Sequence, residues 1–253
     1  MAMTKTSGSI GVVLVGTELL TGKVEERNLS HLALACGRAG YEIQRVLMVH
    51  DHIEVIADAV NQLLTSCEFV VTSGGVGPTH DDVTVDAVAR ALGVGVQVHP
   101  ALQSMLVDAG VDAYAAERTA RAPEGAALLS AEGNVWPLLQ AGRVFMFPGV
   151  PSAFRRKLPL FVAKLPQLRQ LSLVELYFSA DETQLVRALD ATVQQYADVR
   201  MGSYPVWDDP AYRTRLTFEH LSSDRAEEAA ESLLGQLPLD LRSSLVPTPK
   251  RST

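Results

Sequence analysis

The sequence is poor in cysteine, in basic charge and in long apolar runs. Its 253 residues include only two cysteines, Cys36 and Cys67, which lie far apart without a C-x-x-C pair. This spacing gives no disulfide framework and favours a reduced, cytoplasmic protein, with Cys36 in the core. No apolar run reaches the length of a membrane span, and residues 1–5 lack the apolar segment of a signal peptide. A membrane protein is therefore not expected.

The charge balance argues against a protein that binds nucleic acid over a broad surface. The formal net charge is −7, so a broad nucleic-acid-binding surface is not expected. The most compact basic cluster, Arg155-Arg156-Lys157, is interpreted as the solvated face of a helix. About half of the residues are apolar and a fifth are charged, which is typical of a globular protein with one large domain or two smaller ones.

A glycine-rich stretch over residues 72–84 is the most informative motif. It follows an apolar run at residues 69–71 that predicts a buried strand, and it precedes helical spacing of apolar residues over 82–92. It is therefore predicted to be a strand-to-helix turn, where parallel α/β sheets bind their ligands. Three glycines allow a close approach of the backbone to a ligand. Thr79 and Asp82 have the spacing of a capping box for the helix.

This stretch is neither of the standard nucleotide-binding loops. His80 stands at the third glycine position of G-x-G-x-x-G, and no Gly-Lys-Ser/Thr follows. Asp81 and Asp82 at a helix N-terminus would repel a phosphate unless a cation lay between them, and a divalent metal is the natural candidate. An ordinary turn with capping carboxylates remains the alternative interpretation.

Strand and helix patterns alternate from the N-terminus to about Leu165. Apolar runs at residues 9–15, 41–49 and 143–147 predict further strands. The alternation predicts an α/β fold with a doubly wound, mostly parallel sheet. Strand ends of such a sheet meet at one edge, which would bring Glu18 and the turn Pro148-Gly149 to the glycine-rich stretch. Asp51 follows the second strand and has capping-box spacing to Glu54.

The prediction divides the chain near Pro166. Residues 1–167 form the α/β domain, and residues 168–253 form a smaller α+β domain with the order β-α-β-β-α. The carboxylates of the smaller domain fall at a helix cap and on a polar helix face, so we do not expect it to hold the metal. Its Tyr204 and Trp207 are available for stacking against a flat ring. The region of residues 117–125 is predicted to be a polar loop.

Three motifs together carry a resemblance to a known family. They are Val15-Gly16-Thr17-Glu18-Leu19-Leu20, residues 72–83 and Phe147-Pro148-Gly149-Val150-Pro151. They resemble the molybdopterin-binding, MoaB/MogA-like domain of the CinA family of competence- and damage-inducible proteins. They are also similar to the N-terminal domain of eukaryotic FAD synthase. Residues 178–182 and 201–205 look like the segment that follows this domain in the FAD-synthase branch.

The resemblance implies roles for individual residues. Asp51 and Asp82 match the acidic pair of the family's active site, Glu18 the acidic residue after the first strand, and Asn28 an asparagine on the first helix. With Asp81, these carboxylates would hold a divalent metal ion, Mg²⁺ or Co²⁺. The implied phosphate- and nucleotide-binding residues also include two turns, formed by Ser73, Gly74, Gly75, Gly77, Pro78 and Thr79 and by Pro148 and Gly149.

Two departures favour the FAD-synthase branch. His80 stands where CinA proteins often have lysine, and Asn134-Val135-Trp136-Pro137 stands near the place of a missing CinA motif. No deamidase or adenylyl-transfer domain follows within these residues, so synthesis of FAD is not expected.

The resemblance implies a cytoplasmic hydrolase, in the form of a homo-oligomer, that acts on a small-molecule nucleotide or pterin. Its reaction would be metal-dependent cleavage of the diphosphate of FAD, or of a related dinucleotide such as ADP-ribose, to AMP and a monophosphate. Two alternatives stay open at this point. One is a module that binds molybdopterin or a nucleotide without turnover, and the other is a molybdopterin adenylyltransferase.

Overall fold

The chain divides into two compact units, Met1–Leu168 and Arg169–Thr253. The structure is a computed structural model, and it describes residues 8–130 and 136–248. No helix in these two ranges is long and apolar enough to cross a membrane.

The first unit is an α/β fold around a six-stranded, mostly parallel sheet. Its strands are β1 (Gly8–Val15), β2 (Tyr41–Val49), β3 (Phe69–Ser73), β4 (Val96–Val98), β5 (Arg121–Pro123), β6 (Ala127–Leu129), β7 (Leu138–Ala141) and β8 (Val144–Phe147). The sheet has the order β2-β1-β3-β8-β7-β6, in which the first four strands are parallel and β7 and β6 each run antiparallel to their neighbour. A separate antiparallel pair joins β4 and β5.

In the described part of the first unit, seven helices cover both faces of the sheet. They are α1 (Thr17–Leu20), α2 (Leu29–Arg38), α3 (Ile53–Leu64), α4 (Thr84–Leu92), α5 (Pro100–Asp108), α6 (Ala113–Thr119) and α7 (Pro151–Val162). Every residue of β1 is buried, because α3 packs on one face of the sheet and α2 and α7 pack on the other. Alternate residues of β1 therefore enter two different cores. The predicted doubly wound architecture is confirmed.

Two local predictions in this unit are wrong. The helix after the glycine-rich turn begins at Thr84 rather than Asp82, and its N-cap is Val83, so Thr79 and Asp82 do not form a helix-capping box. Their carboxylate–amide bond closes the turn instead, as described below. The region predicted to be a polar loop at residues 117–125 contains the end of α6 and all of β5. Alanines there pack in the core, and a propensity pattern of a few residues does not reveal that packing.

The second unit is a small α+β fold. Its elements are β9 (Ser172–Phe178), α8 (Glu182–Gln195), β10 (Arg200–Pro205), β11 (Thr214–His220), α9 (Ser223–Gln236), α10 (Leu239–Arg242) and β12 (Leu245–Val246). The strands form an antiparallel sheet in the order β10-β11-β9-β12. Its core is built around Phe178, Leu185, Leu216, Phe218 and Leu233. This sheet of a separate, smaller unit confirms the second part of the predicted fold class.

Two details of the second unit bear on the sequence predictions. A capping box of Asp181 and Gln184 begins α8, which agrees with a structural role for that carboxylate. The ring of Tyr204 lies 4.6 Å from the guanidinium carbon of Arg215, so one side of the ring is already covered by a cation. Trp207 is 75% exposed.

Candidate active site

Three strand ends meet at one edge of the first unit's sheet. Strands β1, β3 and β8 are neighbours, and each ends in a turn that leads to a helix. Asn28, at the N-cap of α2, joins two of these turns through its side-chain amide. Its Nδ2 donates to Ser73 Oγ at 3.1 Å and to the Gly149 carbonyl at 2.8 Å. Asn28 is buried, and its Oδ1 has no hydrogen-bond partner among the described residues.

The turn after β3 needs its first two glycines for steric reasons. Gly74 has φ of +105°, and a Cβ atom built on it would stand 2.2 Å from the Val15 carbonyl oxygen. Gly75 has φ of +66°, and Thr84 Oγ1 occupies the space that its Cβ would need. Thr84 then fixes the turn, since its Oγ1 donates to the Gly74 carbonyl at 2.8 Å. The backbone here follows a path that is closed to other residues.

The same turn presents main-chain donors. Within the described residues, the N–H groups of Gly75, Val76 and Gly77 donate to no protein acceptor. Consecutive free N–H groups in a glycine-rich turn are a common binding element for anions. The turn can therefore bind a phosphate through its backbone.

Asp82 closes this turn on itself. Its Oδ2 accepts hydrogen bonds from Thr79 N at 2.8 Å and from Thr79 Oγ1 at 2.5 Å. From the other side, Arg118 on α6 holds the outer part of the turn. Its Nε donates to the Pro78 carbonyl at 2.6 Å, and its Nη2 donates to the Thr79 carbonyl at 3.1 Å. Pro78 and Thr79, predicted to bind phosphate, thus make the contacts that shape the loop.

The other three predicted carboxylates lie in different surroundings. Asp51 Oδ2 accepts a hydrogen bond from Thr17 N at 2.7 Å, so Asp51 fixes the start of α1 and does not cap α3, whose N-cap is His52. Glu18, one residue further along α1, folds back over Gly16, whose Cβ position is 2.6 Å from Glu18 Oε1. Asp81 is exposed and lies 3.8 Å from His80.

A cavity of about 1040 Å³ opens between these turns. Its walls include most of the predicted binding residues, namely Ser73, Gly74, Gly75, Gly77, Asn28, Pro148 and Gly149, and two of the predicted carboxylates, Glu18 and Asp82. Asp51, Asp81, Pro78 and Thr79 do not line it. Apolar side chains form much of the remaining wall, with Leu102, Trp136, Leu139 and Met146 among them. The volume suits a ligand with a ring system and a charged portion.

Lys157 contributes a buried cation to this cavity, which the sequence interpretation missed. Its Nζ donates to the Trp136 and Pro137 carbonyls, both at 2.6 Å, and burial lowers the pKa of its ammonium to about 8. The interpretation of residues 155–157 as a solvated helix face is wrong for this residue. Phe154 and Phe161 are buried on the same side of α7, at spacings of three and four residues, and that periodicity points to a buried Lys157.

Few side chains among the described residues are placed to bind a metal ion. No group of three or more His, Cys, Asp or Glu side chains lies close enough to hold a metal ion in the described ranges. Only Glu18 and Asp82 of the four predicted ligands face the cavity. This donor set fits Mg²⁺ bound together with a phosphate ligand, because Mg²⁺ typically takes one or two carboxylates plus phosphate oxygens and water.

Comparisons with known proteins agree with this architecture. Residues 11–170 match the model of the probable molybdopterin binding domain, and residues 170–244 match the FAD synthase middle domain. The crystal structure of the protein CinA with unknown function from Thermoplasma acidophilum is 26% identical, with a TM-score of 0.55, over 61% of this chain and 96% of that one.

Two relatives extend the comparison to longer proteins. A probable FAD synthase of Caenorhabditis elegans is 27% identical over 88% of this chain, which spans 48% of that protein. A CinA-like protein of Citrifermentans bemidjiense is 36% identical over 63% of this chain and 40% of its own length. The chain thus spans about half or less of either relative. The match over residues 11–170 covers more than half of the chain, and the chain therefore belongs to the molybdopterin-binding domain family.

Proposed function

We propose that the cavity is the active site of a metal-dependent nucleotide pyrophosphatase. Its substrate is FAD, or a related ADP-containing dinucleotide such as ADP-ribose, and its products are AMP and a second monophosphate. The observation that carries the proposal is the composition of one cavity wall, where the free N–H groups of the glycine-rich turn lie next to the carboxylate of Asp82. The similarity to FAD synthases over both units supports a flavin nucleotide as the ligand.

Each part of the site has a task in this reaction. The N–H groups of Gly75, Val76 and Gly77 donate to a phosphate and stabilise the charge that develops on it. The apolar walls around Trp136 and Met146 take a ring system and reduce the access of water. Asn28 holds the turns after β3 and β8 together, so that the donors keep their positions.

Glu18 and Asp82 would hold the divalent metal, Mg²⁺ or Co²⁺. When bound, such an ion neutralises diphosphate charge and lowers the pKa of its water. Asp51 positions Glu18 by fixing the first turn of α1, through its bond to the Thr17 N–H.

The test is AMP release from FAD and from ADP-ribose, with Mg²⁺, with Co²⁺ and with EDTA. The wild type should cleave at least one of them only when metal is present. Asp82→Asn keeps an oxygen that can accept the Thr79 hydrogen bonds but removes the charge. We expect turnover to fall by about three orders of magnitude, since metal-held charge stabilisation contributes several kcal/mol.

Asp81→Asn is the matched control, because Asp81 is adjacent in sequence but does not line the cavity. It should keep most of the activity, and both variants should melt within a few degrees of the wild type. Wild-type turnover in a folded Asp82→Asn protein contradicts the role of Asp82. A wild type that binds FAD but releases no AMP with either metal contradicts the proposed reaction and indicates a binding module.

A further inference from the structure

We propose that Arg156 and Lys157 form a second anion-binding subsite of the cavity, which takes a phosphate group of the nucleotide. The proposed function supplies the identity of the ligand. The subsite itself rests on the placement of two cations in the cavity wall.

Lys157 is a buried charge for which the described residues supply no counter-ion. The residue is only 8% exposed, and within the described ranges its ammonium contacts no carboxylate. A buried ammonium is ordinarily paired, because removing an ion from water costs free energy that hydrogen bonds to neutral groups offset only in part. An anionic ligand in the cavity would supply the missing partner.

Lys157 also keeps one N–H donor that has no acceptor in the part of the chain that the structure describes. An ammonium has three N–H groups, and the carbonyls of Trp136 and Pro137 use two of them. Those two bonds fix the direction of the side chain. Since Lys157 lines the cavity, the third N–H is available to an atom that lies there. The site is thus pre-organised for one acceptor.

Helix α7 places a second positive charge on this side of the cavity. Arg156 also lines the cavity and has no ion-pair or hydrogen-bond partner among the described residues. At the start of the same helix, Val150 and Pro151 line the cavity, and no described side chain caps this end, so the positive end of the helix dipole lies at the cavity wall. Lys157 lies six residues, or roughly 9 Å, along the helix from Pro151. Gly149, just before α7, lies against Gly74, so the start of the helix adjoins the glycine-rich turn and Lys157 lies further along the helix.

The two sides of the cavity differ in charge, and they therefore differ in how they can bind a phosphate. On the side of α1, α2 and the glycine-rich turn, Glu18 and Asp82 line the cavity with carboxylates, and a phosphate close to them needs a metal. Glu25 and Arg27 also line this side, but they are paired with each other. On the α7 side, Arg156 and Lys157 can bind a phosphate without one. We infer that this side recognises the charge of the nucleotide before any metal-dependent step.

The test compares ligands that differ only by phosphate. Calorimetric titrations in EDTA measure the Kd of FMN against riboflavin and of AMP against adenosine. FMN and AMP are the two monophosphates that the proposed cleavage of FAD releases, so turnover plays no part. The wild type should bind the phosphate-bearing member of at least one pair more tightly. In Lys157→Met that Kd should rise about 10- to 100-fold, as for a lost hydrogen bond to a charged group, while the unphosphorylated ligand keeps its Kd.

Matched variants protect this test from a folding artefact. Arg155→Gln lies next to the pair but outside the cavity, and it should leave every Kd unchanged. Arg156→Gln changes an exposed residue and should weaken only the phosphate-bearing ligand. Lys157→Arg keeps the charge and should restore part of the affinity.

Several results overturn the subsite. One is an equal loss of affinity for riboflavin and FMN in Lys157→Met, which indicates a structural role. Another is a wild type that binds phosphate-bearing and phosphate-free ligands equally well.

A third concerns Glu132, the nearest acidic residue in sequence before Trp136, which lies outside the described residues. If Glu132→Gln tightens phosphate binding to the same extent that Lys157→Met weakens it, a protein carboxylate already neutralises Lys157. Phosphate-dependent binding without AMP release would keep the subsite and contradict only the pyrophosphatase.

Discussion

Lys157 is a charged residue that the helical pattern of the sequence places both against the core and in the wall of the cavity. It occupies the inward face of α7 between two buried phenylalanines, so the fold carries it into the cavity. Composition does not predict that Lys157 is buried, because three consecutive basic residues are usually exposed to solvent. Periodicity does reveal it, since a helix turns only one side to the core. Glu18, by contrast, was predictable at the edge of the sheet because it follows the fully buried β1.

We expect the stability of the protein to report the charge on Lys157. The pKa of its ammonium falls from an ordinary 10.5 to about 8 in the folded protein. Between these values the unfolded chain binds a proton that the folded protein has released, so the free energy of unfolding rises with pH. Below pH 8 the cost of the buried charge is present in full. From pH 7.5 to pH 9.5, the free energy of unfolding of the wild type should therefore increase by about 2 kcal/mol relative to that of Lys157→Met.

Urea unfolding of both proteins at several pH values measures this difference. The comparison is needed because burial raises the pKa of the Cys36 thiol to about 12. The folded protein then holds a proton that the unfolded thiol loses, so Cys36 lowers stability as pH rises through the unfolded thiol's range. Both proteins carry Cys36, and its contribution cancels. Parallel pH profiles for the two proteins would show that Lys157 is not charged and buried in the free protein.

At the scale of elements, α6 acts as a brace for the glycine-rich turn. Arg118 reaches from α6 to the Pro78 and Thr79 carbonyls of that turn, and neither of these two residues lines the cavity. We expect Arg118→Ala to lower kcat about tenfold with little change in KM, because the loosened turn displaces Asp82 from its productive position. Arg118 is a positioning residue in this view. Steady-state kinetics with FAD at saturating metal gives the separate constants.

Arg121 provides the comparison for the brace. It lies on β5, and its side chain is paired with Asp86 in the first turn of α4 and not with the carbonyls that Arg118 holds. Arg121→Ala should affect melting more than kcat. Arg118→Lys should recover part of the lost kcat. Equal losses of kcat in Arg118→Ala and Arg121→Ala would mean that general destabilisation, and not the position of the turn, is responsible.

The long elements were predictable from the sequence, and the short ones were not. The buried run of β1 and the apolar stripe of α3 specify their elements locally, through period and length. Strands β5, β6 and β7 have three or four residues each, and their conformation depends on partners far along the chain. The Thr79–Asp82 pair was found by its spacing, but the same spacing fits a closed turn as well as a helix cap.

On the scale of the whole molecule, the first unit contains everything that the proposed site needs. Both of its hydrophobic cores and every residue of the cavity come from before position 169. A chain of residues 1–168 should therefore unfold cooperatively and keep its metal-dependent affinity for the nucleotide. Thermal melting followed by circular dichroism, with and without ligand, measures both properties.

A shorter chain shows where the unit must end. Leu165 belongs to the core, and Tyr41 Oη donates to the Pro166 carbonyl at 3.0 Å. A chain that ends at Ala163 removes both contacts and should melt at a clearly lower temperature than residues 1–168. If residues 1–168 fold but lose the metal-dependent affinity, the second unit takes part in the site. That result would contradict its predicted absence from metal binding.

The amide of Asn28 has a consequence for how this site can be altered. Because one side chain is bonded to Ser73 and to Gly149, insertions or deletions in either turn would break a bond that serves both. The two turns can thus be redesigned only together, or not at all. Segments outside this link, such as Glu25 and the exposed Trp136, meet the same cavity without that restriction. New ligand preferences should therefore be selected there first, and a library confined to those positions should retain more folded members than one that varies the turns.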